Sequence, residues 1–289
     1  MTTAPNHVEL PLFPLHSVLF PGVALPLHIF EERYRTMVSR CIERNEPFGV
    51  VLMRDGQEVG GGPVSLAEVG TTAIIRQAGR YSDGRMDIIT VGGRRFRIGE
   101  LDPDREPYLV GEVTILEEPV GERAEARRLG SAIGRRFLRY LDLLAPALAG
   151  AAGPELELEV EIDIDADEDA GLIDEASAAV DIVAADQLDR SDPLRPQLDA
   201  AALDDTQRHR LLLAAARRLT ATSDPTVLSY VLTGLVQVEL AIRQDLLEAP
   251  DTVSRLMGLD AILRREIRLL SKHLKPLVLD PAINVLRRN

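Results

Sequence analysis

The chain has 289 residues, 45% of them apolar and 27% charged, and a formal net charge of −13. The length suits two domains, each able to bury a sizeable core, and the composition is that of an ordinary globular protein. A single cysteine excludes an internal disulfide and a multi-thiolate metal site, and no run of about eighteen apolar residues offers a membrane span.

The first twelve residues, MTTAPNHVELPL, have neither a basic start nor an apolar core. A secretion leader is therefore not expected, and the cytoplasm is the default location. Residues 8–12 read as a strand, followed by short strands near 17–20 and 24–28. Between the latter two, Phe20-Pro21-Gly22-Val23 has the signature of a turn, with proline presetting φ and glycine accepting φ > 0. Pro11, Pro14 and Pro26 exclude strands whose every N–H is paired. A helix from Glu31 to Asn45 shows Tyr34, Val38, Cys41 and Ile42 on one face, acidic residues in its first turn, and Pro47 beyond its end. Phe48–Met53 reads as a buried strand and Gly60-Gly61-Gly62-Pro63 as a loop. Thr71–Tyr81 and Met86–Ile98 form a hairpin around Ser82-Asp83-Gly84, and Tyr108–Leu116 is a further strand. Eight of the eleven aromatic residues fall in this first part. Short strands with one helix predict a small, partly closed barrel.

From Glu122 the period becomes helical, with Leu129, Ile133, Phe137, Leu141 and Leu144 on one stripe. Gly130 and Gly134 cost this helix propensity, which close approach of a neighbour would explain. Ala145–Gly153 reads as a linker. Residues 155–171, ELELEVEIDIDADEDAG, alternate apolar residues with carboxylates, as an edge strand or a disordered amphipathic tract would. Asp174–Leu188 is expected to be a short helix and Arg190–Gln197 a loop. Helices follow over Thr206–Thr220, from Asp224-Pro225 to about Gly234, over Glu239–Glu248, and from Asp251-Thr252 to about His273. The domain expectation is thus a barrel over 1–119, a long connecting helix over 120–149, an acidic and partly disordered insert over 150–205, and a helical domain over 206–289. The acidity is concentrated. Residues 150–206 carry net −16, whereas 1–119 carry −5, 120–149 carry +3 and 207–289 carry +5. Opposite signs in neighbouring segments leave two readings, a tract that folds back against the arginine-bearing helices or a solvated tract that only aids solubility.

Several chemistries lack their residues. The only lysines, Lys272 and Lys275, stand in no Gly-Lys-[Ser/Thr] context, so a phosphate-binding P-loop is not expected. Ser271 adjoins Lys272, but adjacent helical side chains point about 100° apart, which does not suit a Ser-Lys dyad. The five histidines make no His-Glu-x-x-His pair. Asp163, Asp165 and Asp167 imitate a calcium loop, but Glu168 stands where glycine is needed. Cys41 fits a buried helix stripe. Arg94, Arg95 and Arg97 share a strand, yet the surrounding domain is net acidic and aromatic residues do not interleave with them in a stacking pattern, so nucleic-acid binding is not expected. The expectation is no cofactor, no metal and no membrane contact.

LPLFPLHSVLFPGVALPLHIFEERYRTMV, Phe48-Gly49-Val50-Val51, Gly70-Thr71-Thr72-Ala73-Ile74-Ile75 and Val91-Gly92-Gly93-Arg94-Arg95-Phe96-Arg97-Ile98 occur in order. This series resembles the Lon N-terminal domain, the PUA-like β-barrel found before ATP-dependent Lon proteases and in stand-alone proteins. The resemblance covers about residues 8–118, extends more weakly over 224–272, and leaves 146–205 outside the family pattern. It implies an α+β fold, a PUA-like partly closed β-barrel with one internal helix followed by an α-helical domain. It also implies a non-catalytic polypeptide-recognition module, acting as adaptor or regulator, with unfolded or selected polypeptides and an ATP-dependent protease as partners. Candidate peptide-binding walls are Phe13, Leu15, Phe20, Leu25 and Phe30, each of which also fits a barrel core. The alternative is an enzyme or ligand-binding protein acting on a small molecule, with His28, Glu31, Arg33 and Tyr34 as its polar site.

Overall fold

A computed structural model describes residues 7–55, 65–149, 181–184, 222 and 224–272. The described residues fall into two units, one ending at Glu118 and including the segment 181–184, the other beginning at Pro119. The Gly60–Pro63 loop, the acidic tract and the Thr206–Thr220 helix lie outside the described residues.

The first unit contains β1 (His7–Leu15), β2 (Ala24–Ile29), α1 (Glu32–Arg44), β3 (Phe48–Asp55), β4 (Ser65–Leu66), β5 (Val69–Arg80), β6 (Met86–Asp102), β7 (Val110–Ile115) and β8 (Asp181–Ala184). β6 pairs with β7, β7 with β1, β1 with β3, β3 with β5, and β5 again with β6, so five strands close a ring. The prolines of β1 are accommodated by a change of partner. Residues up to Pro11 pair antiparallel with β7, and from Leu12 the strand runs parallel to β3. β6 is 17 residues long, and its first half extends beside β5 to carry β2 along its other edge.

The turn at Phe20–Val23 forms as its residues dictate. The Val23 N–H donates to the Phe20 carbonyl at 3.1 Å, and Gly22 has φ +74°. A Cβ at Gly92 would collide with that same Phe20 carbonyl, so the loop seats on β6 only where a side chain is missing. The expected strand near 17–20 does not form. Val18, Leu19 and Phe20 are all buried outside the strands of the sheet, and Thr71 Oγ1 donates to the Leu19 carbonyl at 2.7 Å.

α1 buries Tyr34, Met37, Val38 and Cys41, and ends at Asn45 in the left-handed region. Its stripe meets Phe13, Phe48, Ile75 and Ile88 in one core, where Phe13 lies edge-on to Tyr34 at 4.2 Å between centroids. Residues 181–184, expected within a helix, form β8 instead and run parallel to Gln77–Arg80 of β5. The β5 edge offers unpaired backbone groups at this point, and strand pairing overrides the local helical pattern.

The second unit contains α2 (Arg123–Ala149), α3 (Pro225–Leu235), α4 (Leu240–Leu247) and α5 (Thr252–Ser271). Asp224 caps α3 by accepting from the Thr226 N–H at 2.7 Å, and Asp251 caps α5 through the Ser254 N–H at 2.7 Å. α2 continues through Pro146 to Ala149, past the point where the expected linker begins. Proline removes one hydrogen bond there, and the surrounding alanines are the strongest helix formers. Ile133, Phe137 and Tyr140 of α2 pack with Leu228 and Leu232 of α3 and Leu256, Leu259 and Leu263 of α5. A Cβ on Gly130 would lie 3.3 Å from Leu228, which accounts for that glycine.

Candidate functional site

β2 has a single strand neighbour, β6, among the described residues. Its register against β6 is regular, from Ala24 opposite Val91 to Ile29 opposite Met86. The Gly92 N–H donates to the Val23 carbonyl at 3.0 Å. Antiparallel alternation therefore turns the backbone groups of Leu25, Leu27 and Ile29 towards β6 and those of Ala24, Pro26 and His28 away from it. Proline fits here because its missing N–H lies on the outer edge. The side chains alternate too. Ile29 is buried, and Leu25 and Leu27 pack against the core, while Pro26 and His28 are exposed.

At the end of this edge lies a small aromatic and polar group. His28 Nδ1 is 2.6 Å from Asp87 Oδ1, the residue directly opposite it on β6. Asp87 Oδ2 accepts a short hydrogen bond from the Tyr81 hydroxyl. The His28 ring stacks on Phe30 at 6.2 Å and meets Tyr81 edge-on. Phe30 is 47% exposed, unusual for phenylalanine. The Arg85 guanidinium lies 5.5 Å above Tyr81 and also bonds Asp83, whose carboxyl is held below its ordinary value by the backbone and side-chain N–H groups of Arg85.

The apolar candidates separate by depth. Phe13 is a core residue with Leu15 and Leu25 half-buried against its cluster, and Phe20 is fully buried. Phe30 alone of the five presents its ring to solvent. Of the polar candidates, His28 turns to Asp87, whereas Arg33 donates to Glu31 at 3.0 Å and lies 4.6 Å over the Tyr34 ring, itself buried. Tyr34 is a core residue, so no four-residue polar site forms around it. Asp87 and Tyr81 were not legible as site residues, because His28 and Asp87 are 59 residues apart and only strand register joins them.

Other candidate groups have structural partners. Arg95 is buried and forms two hydrogen bonds to Glu118 at 2.7 and 3.1 Å, and exposed Arg97 lies 3.4 Å from Glu68. Cys41 is buried, and desolvation pushes its thiol up to about 12. Among the described residues no cluster of three His, Cys, Asp or Glu side chains could hold a metal, and no helix is long and apolar enough to cross a membrane.

Residues 9–265 match the family model described as the ATP-dependent protease La (LON) substrate-binding domain. The chain is similar to the Lon protease of Parabacteroides distasonis, with 32% identity over 120 residues, covering 40% of this chain and 14% of that protein. It is also similar to Lon protease 2 of Myxococcus xanthus, with 30% identity over 145 residues, covering 50% of this chain and 17% of that protein. The chain thus spans about a sixth of the length of the curated relatives it matches. A solved Lon N-terminal domain protein from Xanthomonas campestris is similar at 23% identity and a TM-score of 0.47, covering 88% of this chain and 98% of that one.

Proposed function

This chain belongs to the ATP-dependent protease La (LON) substrate-binding domain family, and from that premise we propose that it is a non-catalytic module that recognises polypeptides. The observation that carries the reading is the family match across residues 9–265. The open edge of β2 supports a place for the contact. An extended segment added beside β2 would pair with the outward backbone groups of Ala24, Pro26 and His28, a mode that needs no particular sequence in the bound chain. Phe30, stacked on His28, offers apolar area at the end of that edge. Main-chain pairing with one aromatic contact suits unfolded segments of varied sequence. In this reading the protein delivers or withholds polypeptides as an adaptor or regulator of an ATP-dependent protease. Recognition itself consumes no ATP.

The test is fluorescence anisotropy of a labelled, permanently unfolded polypeptide titrated with the full chain in the absence of nucleotide. Saturable binding is expected, with loss in His28→Pro, which removes an outward N–H, and retention of most affinity in His28→Ala, which keeps it. Absence of binding, or equal binding by both variants and the parent, contradicts the reading.

A further inference from the structure

A second feature of the first unit is an open cavity of about 470 Å³ between the end of α1, the first half of β1 and the segment leading into β7. Its volume lies in the range of ligand sites. Buried apolar groups, including Leu10, Tyr108 and Val110, line it, and so do four arginines. Two of these are already engaged. Arg40 donates to Glu106 at 2.6 Å and to the Tyr108 hydroxyl at 3.0 Å, and Arg105 pairs with Glu9. Arg44 and Arg94 have no ion pair among the described residues, and Glu46 is the remaining carboxylate of the lining. The cavity therefore carries one net positive charge within a segment, 1–119, of net −5.

We infer that this cavity receives the C-terminal carboxylate of a polypeptide, with Arg44 and Arg94 as its charge partners and the apolar lining holding the last side chain. The inference rests on the polypeptide recognition proposed above and adds a second contact to it. A singly charged carboxylate on an apolar residue matches one net positive charge over an apolar floor. A phosphate dianion matches less well, because the carboxylates of Glu9, Glu46 and Glu106 share the same walls and repel it more strongly. The negative end of the α1 dipole opposes any anion near Arg44. That opposition is reduced because the Asn45 and Glu46 N–H groups already bond the Ile42 and Cys41 carbonyls, at 3.2 and 2.9 Å. Arginine further favours a carboxylate through its paired N–H geometry.

The experiment compares two labelled decapeptides that end in leucine, one a free acid and one a C-terminal amide, by anisotropy with the full chain. The free acid is expected to bind about tenfold tighter, the ratio that one charge-assisted hydrogen bond produces. Arg44→Gln and Arg94→Gln should each reduce that ratio, with unchanged thermal melts as the check on folding. Equal affinity for acid and amide overturns the inference, as does an acid preference that survives both arginine variants. Inorganic phosphate competing as effectively as the free acid overturns the assignment to a carboxylate. If unfolded polypeptide binds while the two decapeptides are not distinguished, this inference fails alone. If none of the three binds, the recognition reading fails with it.

Discussion

Phe20 and Arg95 sit in the same unit and are both almost withdrawn from water, for opposite chemical reasons. Phe20 is 0% exposed and immediately precedes the Pro21-Gly22 turn. Its truncation leaves a cavity, and Phe20→Ala should cost about 3–5 kcal/mol in urea unfolding. Gly22→Val should also destabilise, because φ +74° strains a β-branched residue although no atom lies near the missing Cβ. Arg95 and Glu118 have side chains 3% and 10% exposed and joined by two hydrogen bonds. Removing one partner leaves a buried charge, so Glu118→Gln should cost about 3–5 kcal/mol. Glu68→Gln, at the exposed Arg97 pair, should change stability little. Similar losses for the two glutamines would show that the Arg95 pair is not buried in solution. Glu266 supplies the pH-dependent case. Burial raises its carboxyl above the ordinary value of 4.5, and Arg265 at 3.9 Å offsets this only in part. The charged form is disfavoured in the fold, so the stability tied to this group is full below 4.5 and is lost as pH rises through the raised value. Glu266→Gln should therefore raise the melting temperature at pH 7 and leave it nearly unchanged at pH 4.

At the scale of elements, what the chain announces locally is what forms. The Asp224-Pro225 and Asp251-Thr252 starts specify α3 and α5, because a capping carboxylate and a preset proline φ act within one turn. The Ser82-Asp83-Gly84 hairpin forms for the same reason, with Gly84 at φ +87°. Elements set by distant partners were not legible. Residues 17–20 form no strand, with the Leu19 carbonyl taken by the Thr71 hydroxyl, and Asp181–Ala184 gains one from the β5 edge about a hundred residues earlier. The change of partner by β1 at Pro11 depends on two strands at once. The candidate site follows the same division. Phe30 and His28 could be named from their local stretch, but Asp87, Tyr81 and the arginine-lined cavity arise only from register and packing. The edge of β2 also makes a stability prediction. Pro26 lies on an outer-edge position, so Pro26→Val restores an N–H without breaking a ladder bond and should leave the melting temperature nearly unchanged. A large loss would mean that the outer edge is already paired.

At the scale of the whole molecule, family membership and an open strand edge support the same proposed role, the capture of extended polypeptide without chemistry. Amide hydrogen exchange on the full chain, with and without a saturating unfolded polypeptide, tests that role at the atoms proposed to carry it. The amides of Ala24 and His28 face outward, and bound polypeptide should slow their exchange by about tenfold or more, the change that one protecting main-chain hydrogen bond of about 1.4 kcal/mol would give. Leu25, Leu27 and Ile29, already bonded to β6, should change far less. Protection confined to other segments, with Ala24 and His28 exchanging as before, would contradict recognition at the β2 edge.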